Sequence, residues 1–305
     1  MRIGIIGAGA IGGWVAARLA LAGNEVMALT SRSALDRIEI EQAGISQGAP
    51  LSQFEEPADL LAIAVKAPAL AAAARAAAPL IGPATIILPM LNGVPWWFAE
   101  GERLQSVDPE GAIAAALPAD QVVGCVVHAS CRRDGPARIV VNQADKLILG
   151  DTGGGASTRI HELCALFEQA GIRPEPSNNI RRAIWYKLWG NATINPLSAL
   201  TGATADRLLA ELKPFLLAGM AELAAVGAAI GCSIEESGED RMAVTARLGA
   251  FKTSMLQDVE AGRPIELEAL LGAPIELADR AGVEVPVLRA LYAMTRLMAE
   301  SRGLL

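Results

Sequence analysis

Along the first half of the chain, short apolar runs alternate with longer stretches in which apolar positions recur every three or four residues. Residues 1–6 form a β-branched apolar run that ends at a glycine cluster, as a buried parallel strand does. Residues 10–22 follow helical periodicity and stop at Gly23, a residue suited to the left-handed position after a helix. Strands are predicted at 25–30, 60–65, 85–88 and 122–127, with helical segments between several of them. The Ala-rich segment 67–78 reads as a short helix, and residues 137–149 as a hairpin or edge strands. Alternating β and α predicts a doubly wound parallel sheet. After the Pro/Ser/Asn stretch at 174–179 the spacing becomes almost wholly helical, with helices near 181–195, 205–230, 239–261, 265–281 and 286–300. The expected organisation is an α/β domain over 1–178 and an all-helical domain over 179–305, with ligand sites expected between such domains.

Bulk properties narrow the function. A chain of 305 residues, 52% apolar and 19% charged, has a globular composition and room for two domains. Its net charge of −7 argues against a nucleic-acid or anionic-membrane binder. Cys125, Cys131, Cys164 and Cys232 lack metal-ligand spacing, and only His128 and His161 accompany them, so no metal is expected. Reduced thiols in a cytoplasmic protein are the default. Glycines at 4, 7, 9, 12 and 13 break up what would otherwise resemble a signal-peptide core, and no strongly apolar stretch of about eighteen residues exists. A soluble protein is expected.

The run Gly7-Ala8-Gly9-Ala10-Ile11-Gly12 follows a predicted strand and opens a predicted helix, the context that a dinucleotide-binding fingerprint requires. The first glycine permits the tight turn and the second lets the backbone approach the pyrophosphate. The third lets helix and strand pack closely, and the helix N-terminus faces the negative charge. The first domain is therefore expected to be of the Rossmann type. The second strand ends Leu29-Thr30-Ser31-Arg32, with no carboxylate before Asp36. An NAD enzyme usually places an acid there for the ribose hydroxyls; Ser31 and Arg32 can instead donate to a 2′-phosphate. NADPH is the expected cofactor.

The second domain opens with Lys187-Leu-Trp-Gly-Asn191-Ala-Thr-Ile-Asn195-Pro196. At about 100° per residue, a spacing of four drifts only about 40° per step, so Lys187, Asn191 and Asn195 share one helical stripe. Asn is a mediocre helix former, and such breaks of local rule are expected at functional sites. Pro196 restricts the residue before it, which places Asn195 at a helix end or kink. Lys66 and Asn92 each follow a predicted strand on the carboxyl side, where open α/β sheets place ligands. Ser254 and Asp258 stand four apart, before a Gly262-Arg-Pro turn and Glu266. Local capping or pairing is the expected role of Asp258, and a core position that of His128. Trp96 and Trp97 are expected in the core, with narrowing of a substrate pocket as the alternative.

The chain resembles the ketopantoate reductase family over essentially its whole length. The resemblance rests on GAGAIG at 7–12, VK at 65–66, NG at 92–93, K…N…NP at 187–196 and SMLQD…GRPIE at 254–266. Members reduce a 2-oxo acid to a 2-hydroxy acid with NADPH, using a Rossmann domain and a helical domain like those of 6-phosphogluconate dehydrogenases. The resemblance implies that Lys187 is the catalytic lysine and that Glu266 is the acidic residue at the substrate. It makes Asn191, Asn195 and Ser254 substrate-orienting groups, and sets Asn92 and Lys66 between cofactor and substrate. The implied reaction is reduction of 2-dehydropantoate (ketopantoate) to pantoate in coenzyme A biosynthesis. Alternatives are a paralogous reductase of another 2-oxo acid, an opine-type dehydrogenase, or a non-catalytic NADP-binding regulator. A homodimer is expected by analogy. Two departures stand out: Ala205 where some members carry a further Asn, and the bulky Val-Pro-Trp-Trp-Phe after Gly93.

Overall fold

The computed structural model describes residues 1–31, 33–155 and 157–305, which form two compact units. The first comprises 1–65, 69–91 and 111–180; the second comprises 66–68, 92–110 and 181–305.

The first unit runs β1 (Arg2–Ile6), α1 (Ala10–Leu21), β2 (Glu25–Leu29), β3 (Ala34–Leu35), β4 (Arg37–Gln42), β5 (Ile45–Pro50) and β6 (Leu60–Ile63). It continues with α2 (Leu70–Ala77), β7 (Ile86–Pro89), α3 (Ala112–Ala116), β8 (Val123–Arg133), β9 (Arg138–Asp151), α4 (Thr158–Gln169) and β10 (Pro174–Pro176). One sheet has the order β3-β2-β1-β6-β7. All its pairings are parallel except the two-residue β3 edge. This is the expected Rossmann-type sheet, with β1 at its centre and, as double-sided burial demands, a wholly apolar β6 on one side; β2 on the other is apolar after the exposed Glu25.

A second sheet, β10-β9-β4-β5 with β8 also on β9, was not foreseen as a separate layer. The strand expected at 122–127 lies here as β8, antiparallel to β9, and touches the parallel sheet through one parallel bridge from Val122 to Ile87 of β7. Nor is 137–149 an edge: β9 is a 14-residue strand paired with β8, β4 and β10. The β4–β5 hairpin was not predicted, although Arg37-Ile-Glu-Ile-Glu alternates as a strand does: Ile38 and Ile40 are buried and the acids are not. Its two-residue turn has positive φ at both Ala43 and Gly44, which suits the twist of a hairpin. The stretch 174–179, read as a hinge or junction, begins with a strand held on β9, and the two compact units divide just after it, between Ile180 and Arg181.

Helix α1 packs against β2 of one sheet and against β4, β5, β8 and β9 of the other. That explains why it is apolar on every side, with Trp14, Val15, Ala16, Ala17 and Leu19 buried. Gly13 permits the approach: a Cβ there would stand 2.6 Å from Ile139 Cδ1 on β9.

The second unit is helical: α5 (Ile180–Thr201), α6 (Ala205–Glu211), α7 (Lys213–Ala229), α8 (Gly238–Ala246), α9 (Ser254–Glu260), α10 (Ala273–Ala281) and α11 (Pro286–Ser301). A π-helical turn, Glu268–Gly272, leads into α10. Two predicted long helices are broken. The 205–230 pattern divides at Leu212, where Pro214 opens α7, and 239–261 divides before Thr253, whose hydroxyl caps α9 by accepting from Leu256 N. Helix α5 does the opposite. It runs through Pro196, so Asn195 lies inside the helix and not at its end. Proline removes one backbone bond there, but Ala192, Thr193, Ser198 and Ala199 are buried around it, and packing holds the helix through the gap. The indoles of Trp185 and Trp189 fasten α5 to α7, donating to Leu223 O at 3.1 Å and Met220 O at 2.8 Å.

Residues 92–110 belong to this helical unit. Val94 N donates to Ala269 O at 2.8 Å, and the backbone N–H groups of Gln105 and Ser106 donate to Glu276 of α10 at 2.9 and 2.8 Å. Phe98 packs 6.0 Å from Trp185, with the Arg181 guanidinium over its ring. Among the described residues no single helix is long and apolar enough to cross a membrane; α6 and α7 reach that length only together and are bent by 96°.

Candidate active site

The chain's candidate chemistry falls into one constellation in each unit. In the first unit the β1–α1 turn has the shape of a dinucleotide cradle. Gly7 has φ +94°, a left-handed conformation, and a Cβ there would stand 2.7 Å from Val65 Cγ1 and 2.8 Å from Ala64 O. A Cβ on Gly12 would run into the Gly7 carbonyl and stand 3.0 Å from Ala64 Cβ. In front of Gly9, by contrast, a Cβ would come no nearer than 4.0 Å to anything but its neighbours. Gly9 is the N-cap of α1 and supplies no side-chain cap. Ala10, Ile11 and Gly12 form the first turn, whose N–H groups precede the helix's own bonding ladder. These residues therefore fit a pyrophosphate: two glycines close the turn, and the third leaves the helix N-terminus approachable. Ala8 is buried behind it, its N–H on Leu29 O. Ser31 is exposed just beyond β2, and Arg32 lies outside the described residues.

In the second unit four of the predicted residues come together. Lys187 Nζ, on α5, donates to Asn92 Oδ1 at 2.9 Å. Asn92 Nδ2 in turn faces Glu266 Oε2 at 3.5 Å. The other carboxylate oxygen, Oε1, accepts from the backbone N–H of Ala67 at 3.3 Å. Lys66, one residue earlier, forms an ion pair with Asp258 of α9. An ammonium can only donate and a carboxylate can only accept, so the amide between them presents its oxygen to one and its NH2 to the other.

Two local devices set this geometry. Gly93, at φ +80°, brings its backbone against the π-helical turn, where a Cβ would stand 2.8 Å from Ala269 Cβ and closer still to the Ala269 carbonyl. That carbonyl takes the Val94 N–H, so the segment carrying Asn92 is pinned to the segment that follows Glu266. Asp258, itself 4% exposed, also holds Arg263, whose Nε lies 3.1 Å from Oδ1.

Glu266 is 8% exposed. Burial pushes its carboxyl above the ordinary range; the Ala67 N–H, the Lys66 charge and the Asn92 amide oppose that rise, while the nearby Asp258 charge adds to it. The result is a buried acid faced by placed donors, with no direct ion pair to it among the described residues.

The comparisons follow from this arrangement. Residues 3–154 match the family described as Ketopantoate reductase PanE/ApbA, and residues 179–299 match its C-terminal counterpart. The chain belongs to the ketopantoate reductase family. It is similar to the 2-dehydropantoate 2-reductase of Mesorhizobium japonicum, 37% identical with 99% of each chain covered. It is also similar to a Ralstonia solanacearum crystal structure provisionally assigned as a ketopantoate reductase, 46% identical with a TM-score of 0.94 over 100% and 99% of the two chains. The 2-dehydropantoate 2-reductase of Methylococcus capsulatus is 31% identical, with a TM-score of 0.86 over 99% and 98%. The chain is an oxidoreductase acting on a CH–OH group.

The remaining predicted residues of the reductase are placed as follows. Asn191 and Asn195 continue the Lys187 stripe along α5, half-buried and 7% exposed respectively. Ser254 is exposed at the first position of α9, one turn from Asp258. Trp96 and Trp97 are both buried, their indole N–H groups without a partner among the described residues. His128 stands at a bulge of β8 in the second sheet. Two contributors were missed by sequence reasoning. The Ala67 N–H carries no side-chain signal. Arg263 gave one, a basic residue five positions after Asp258 in a Gly-Arg-Pro turn, and it went unused.

Proposed function

We propose that this reductase converts 2-dehydropantoate to pantoate with NADPH. The observation that carries the reading is the Lys187–Asn92–Glu266 array, held within one unit. When bound, the nicotinamide cofactor supplies the hydride, two electrons and one hydrogen, to the ketone carbon. The protein's part is to place and neutralise charge. Lys187 Nζ donates a proton to the ketone oxygen as it becomes an alkoxide, completing the hydroxyl, and regains a proton from solvent. Asn92 Oδ1 fixes the direction of Nζ, and Glu266 accepts from a substrate hydroxyl. Asn191, Asn195 and Ser254 orient the substrate. Gly7, Gly9, Gly12 and the first turn of α1 hold the pyrophosphate.

The choice of NADPH over NADH is supported by Ser31-Arg32 after β2 and by the lack of any acid before Asp36. The same reading gives 1–178 the cofactor role and 179–305 the substrate role, with 66–68 and 92–110 serving the latter. It includes a cytoplasmic location, supported by four free thiols, and a homodimer, testable by light scattering. A steady-state assay with NADPH, NADH and a panel of 2-oxo acids tests the whole reading. Preferred turnover of 2-dehydropantoate with NADPH is expected. Preference for another 2-oxo acid would move the chain to a paralogous activity, and NADPH binding without any turnover would make it a regulator.

A further inference from the structure

Glu266 is approached by the chain from two directions, and both approaches are tied to one buried carboxylate. Asp258 pairs with Lys66 on one side. On the other it pairs with Arg263, Nε at 3.1 Å and Nη2 at 3.0 Å from Oδ1. Its backbone carbonyl also accepts from Ala261 N at 3.1 Å and Arg263 N at 2.9 Å, closing the turn that delivers Glu266. Lys66 is followed directly by Ala67, the donor to Glu266 Oε1. Donor and acceptor of that bond therefore come from segments 199 residues apart in sequence, and each is anchored within a few residues by Asp258.

We propose that Asp258 is a positioning residue: through Lys66 and Arg263 it holds the Ala67 N–H and the Glu266 carboxylate in register with Asn92 and Lys187. Stability alone is a weak reason for such a device, since a buried ion pair is often no better than apolar packing of the same volume. The charged or polar groups facing Glu266 are Lys66, the Ala67 N–H, Asn92 and Asp258, with Lys187 beyond the amide. Replacing Asp258 by Asn removes a negative charge that opposes ionisation of Glu266. It also frees the Lys66 cation, which favours that ionisation. Taken alone, both changes act toward a lower Glu266 pKa. Loss of the Ala67 N–H, which opposes the rise more than either charge acts on it, carries the pKa higher, so the direction of the shift separates lost positioning from a lost charge.

The kinetic part of the test rests on the 2-oxo-acid reductase reading; the spectroscopic part does not. Asp258→Asn and Asp258→Glu are made in the full chain, and kcat/KM is followed against pH. The Glu266 carboxyl is titrated by 13C NMR, its signal assigned by its loss in Glu266→Gln. In Asp258→Asn, kcat/KM should fall about 10- to 100-fold, and the Glu266 titration and the acid limb of kcat/KM should move to higher pH together as the Ala67 N–H is lost. Asp258→Glu keeps the charge but lengthens the reach, so it should lose about tenfold in kcat/KM with Glu266 titrating nearly as in the parent. A Glu266 titration that is unmoved or moves to lower pH in Asp258→Asn would overturn the proposal, as would parental kcat/KM in either variant. If Asp258→Asn does not fold, Asp258→Glu decides by kcat/KM. If the parent turns over no 2-oxo acid, the reaction reading fails, and the Glu266 titration in Asp258→Asn still decides this one.

Discussion

Lys187 and Asn92, 95 residues apart in sequence, are joined by a 2.9 Å hydrogen bond from Nζ to Oδ1. The amide keeps the ammonium off the buried Glu266 carboxylate while linking the two. In the proposed reaction the two ends of this array have complementary chemistry: an ammonium donates toward a developing alkoxide, and a carboxylate accepts from a hydroxyl.

Removing the ammonium should therefore remove the chemistry and spare cofactor binding. Lys187→Ala is expected to lower kcat about 100- to 10,000-fold. NADPH affinity, read by quenching of protein fluorescence, should stay within about twofold, because the pyrophosphate cradle lies in the other unit. Retained kcat would mean that another group delivers the proton.

Glu266 makes a prediction about stability. Its carboxyl titrates above the ordinary range when folded. As pH rises, the unfolded chain thus loses this proton first and the folded protein later. The folded state is favoured at low pH, and that advantage is lost as pH climbs from the unfolded toward the folded pKa. Glu266→Gln cannot titrate. The difference in Tm, Glu266→Gln minus parent, should rise from about pH 4 upward and level off above the folded pKa. A flat difference across that range would remove the claim that burial dominates this group.

Backbone geometry at Gly93 yields a third prediction. Gly93→Ala demands a left-handed alanine and drives its Cβ into the Ala269 carbonyl, a backbone group with no rotamer to yield. It should cost about 2 kcal/mol or more in stability. Because Asn92 is the adjacent residue, kcat/KM should fall about 10- to 100-fold at temperatures where the variant is still folded. Thermal melts and kinetics at 20 °C below the variant's Tm separate the two effects, and parental kcat/KM there would show that Asn92 is positioned otherwise.

What the sequence revealed of all this follows from which signals are local. The β1–α1 turn was readable because its glycines, strand and helix are contiguous. The Lys187 stripe was readable because a spacing of four is a property of one helix. The second sheet escaped because β4 reaches β9 from far away in sequence: the stretches of β8 and β9 were read as strands, but the alternation in Arg37–Gln42 went unread and no local signal says which strands pair. The breaks at Leu212 and before Thr253 were hidden by apolar periodicity on both sides. Asn195 was set at a helix end or kink on the strength of Pro196; it is not at an end, because tertiary packing carries α5 on through the proline. The Lys66–Asp258–Arg263 cluster joins three segments, and only the fold brings its charges together.

Arg32 supplies the last prediction. The strand before it ends at Leu29, and the sequence then reads Thr30-Ser31-Arg32 where an NAD enzyme usually carries an acid for the adenosine ribose hydroxyls. A guanidinium there can donate two charge-assisted hydrogen bonds to a 2′-phosphate, a group that NADH lacks. Hydrogen bonds to charged groups contribute about 1.5–3 kcal/mol. Arg32→Ala should accordingly raise the Kd for NADPH about 10- to 150-fold and leave that for NADH nearly unchanged. Ser31→Ala should act in the same direction but more weakly, since a hydroxyl carries no charge. Binding titrations with both cofactors decide the matter. Equal weakening of NADPH and NADH would mean that Arg32 supports the turn as a whole and does not read the 2′-phosphate.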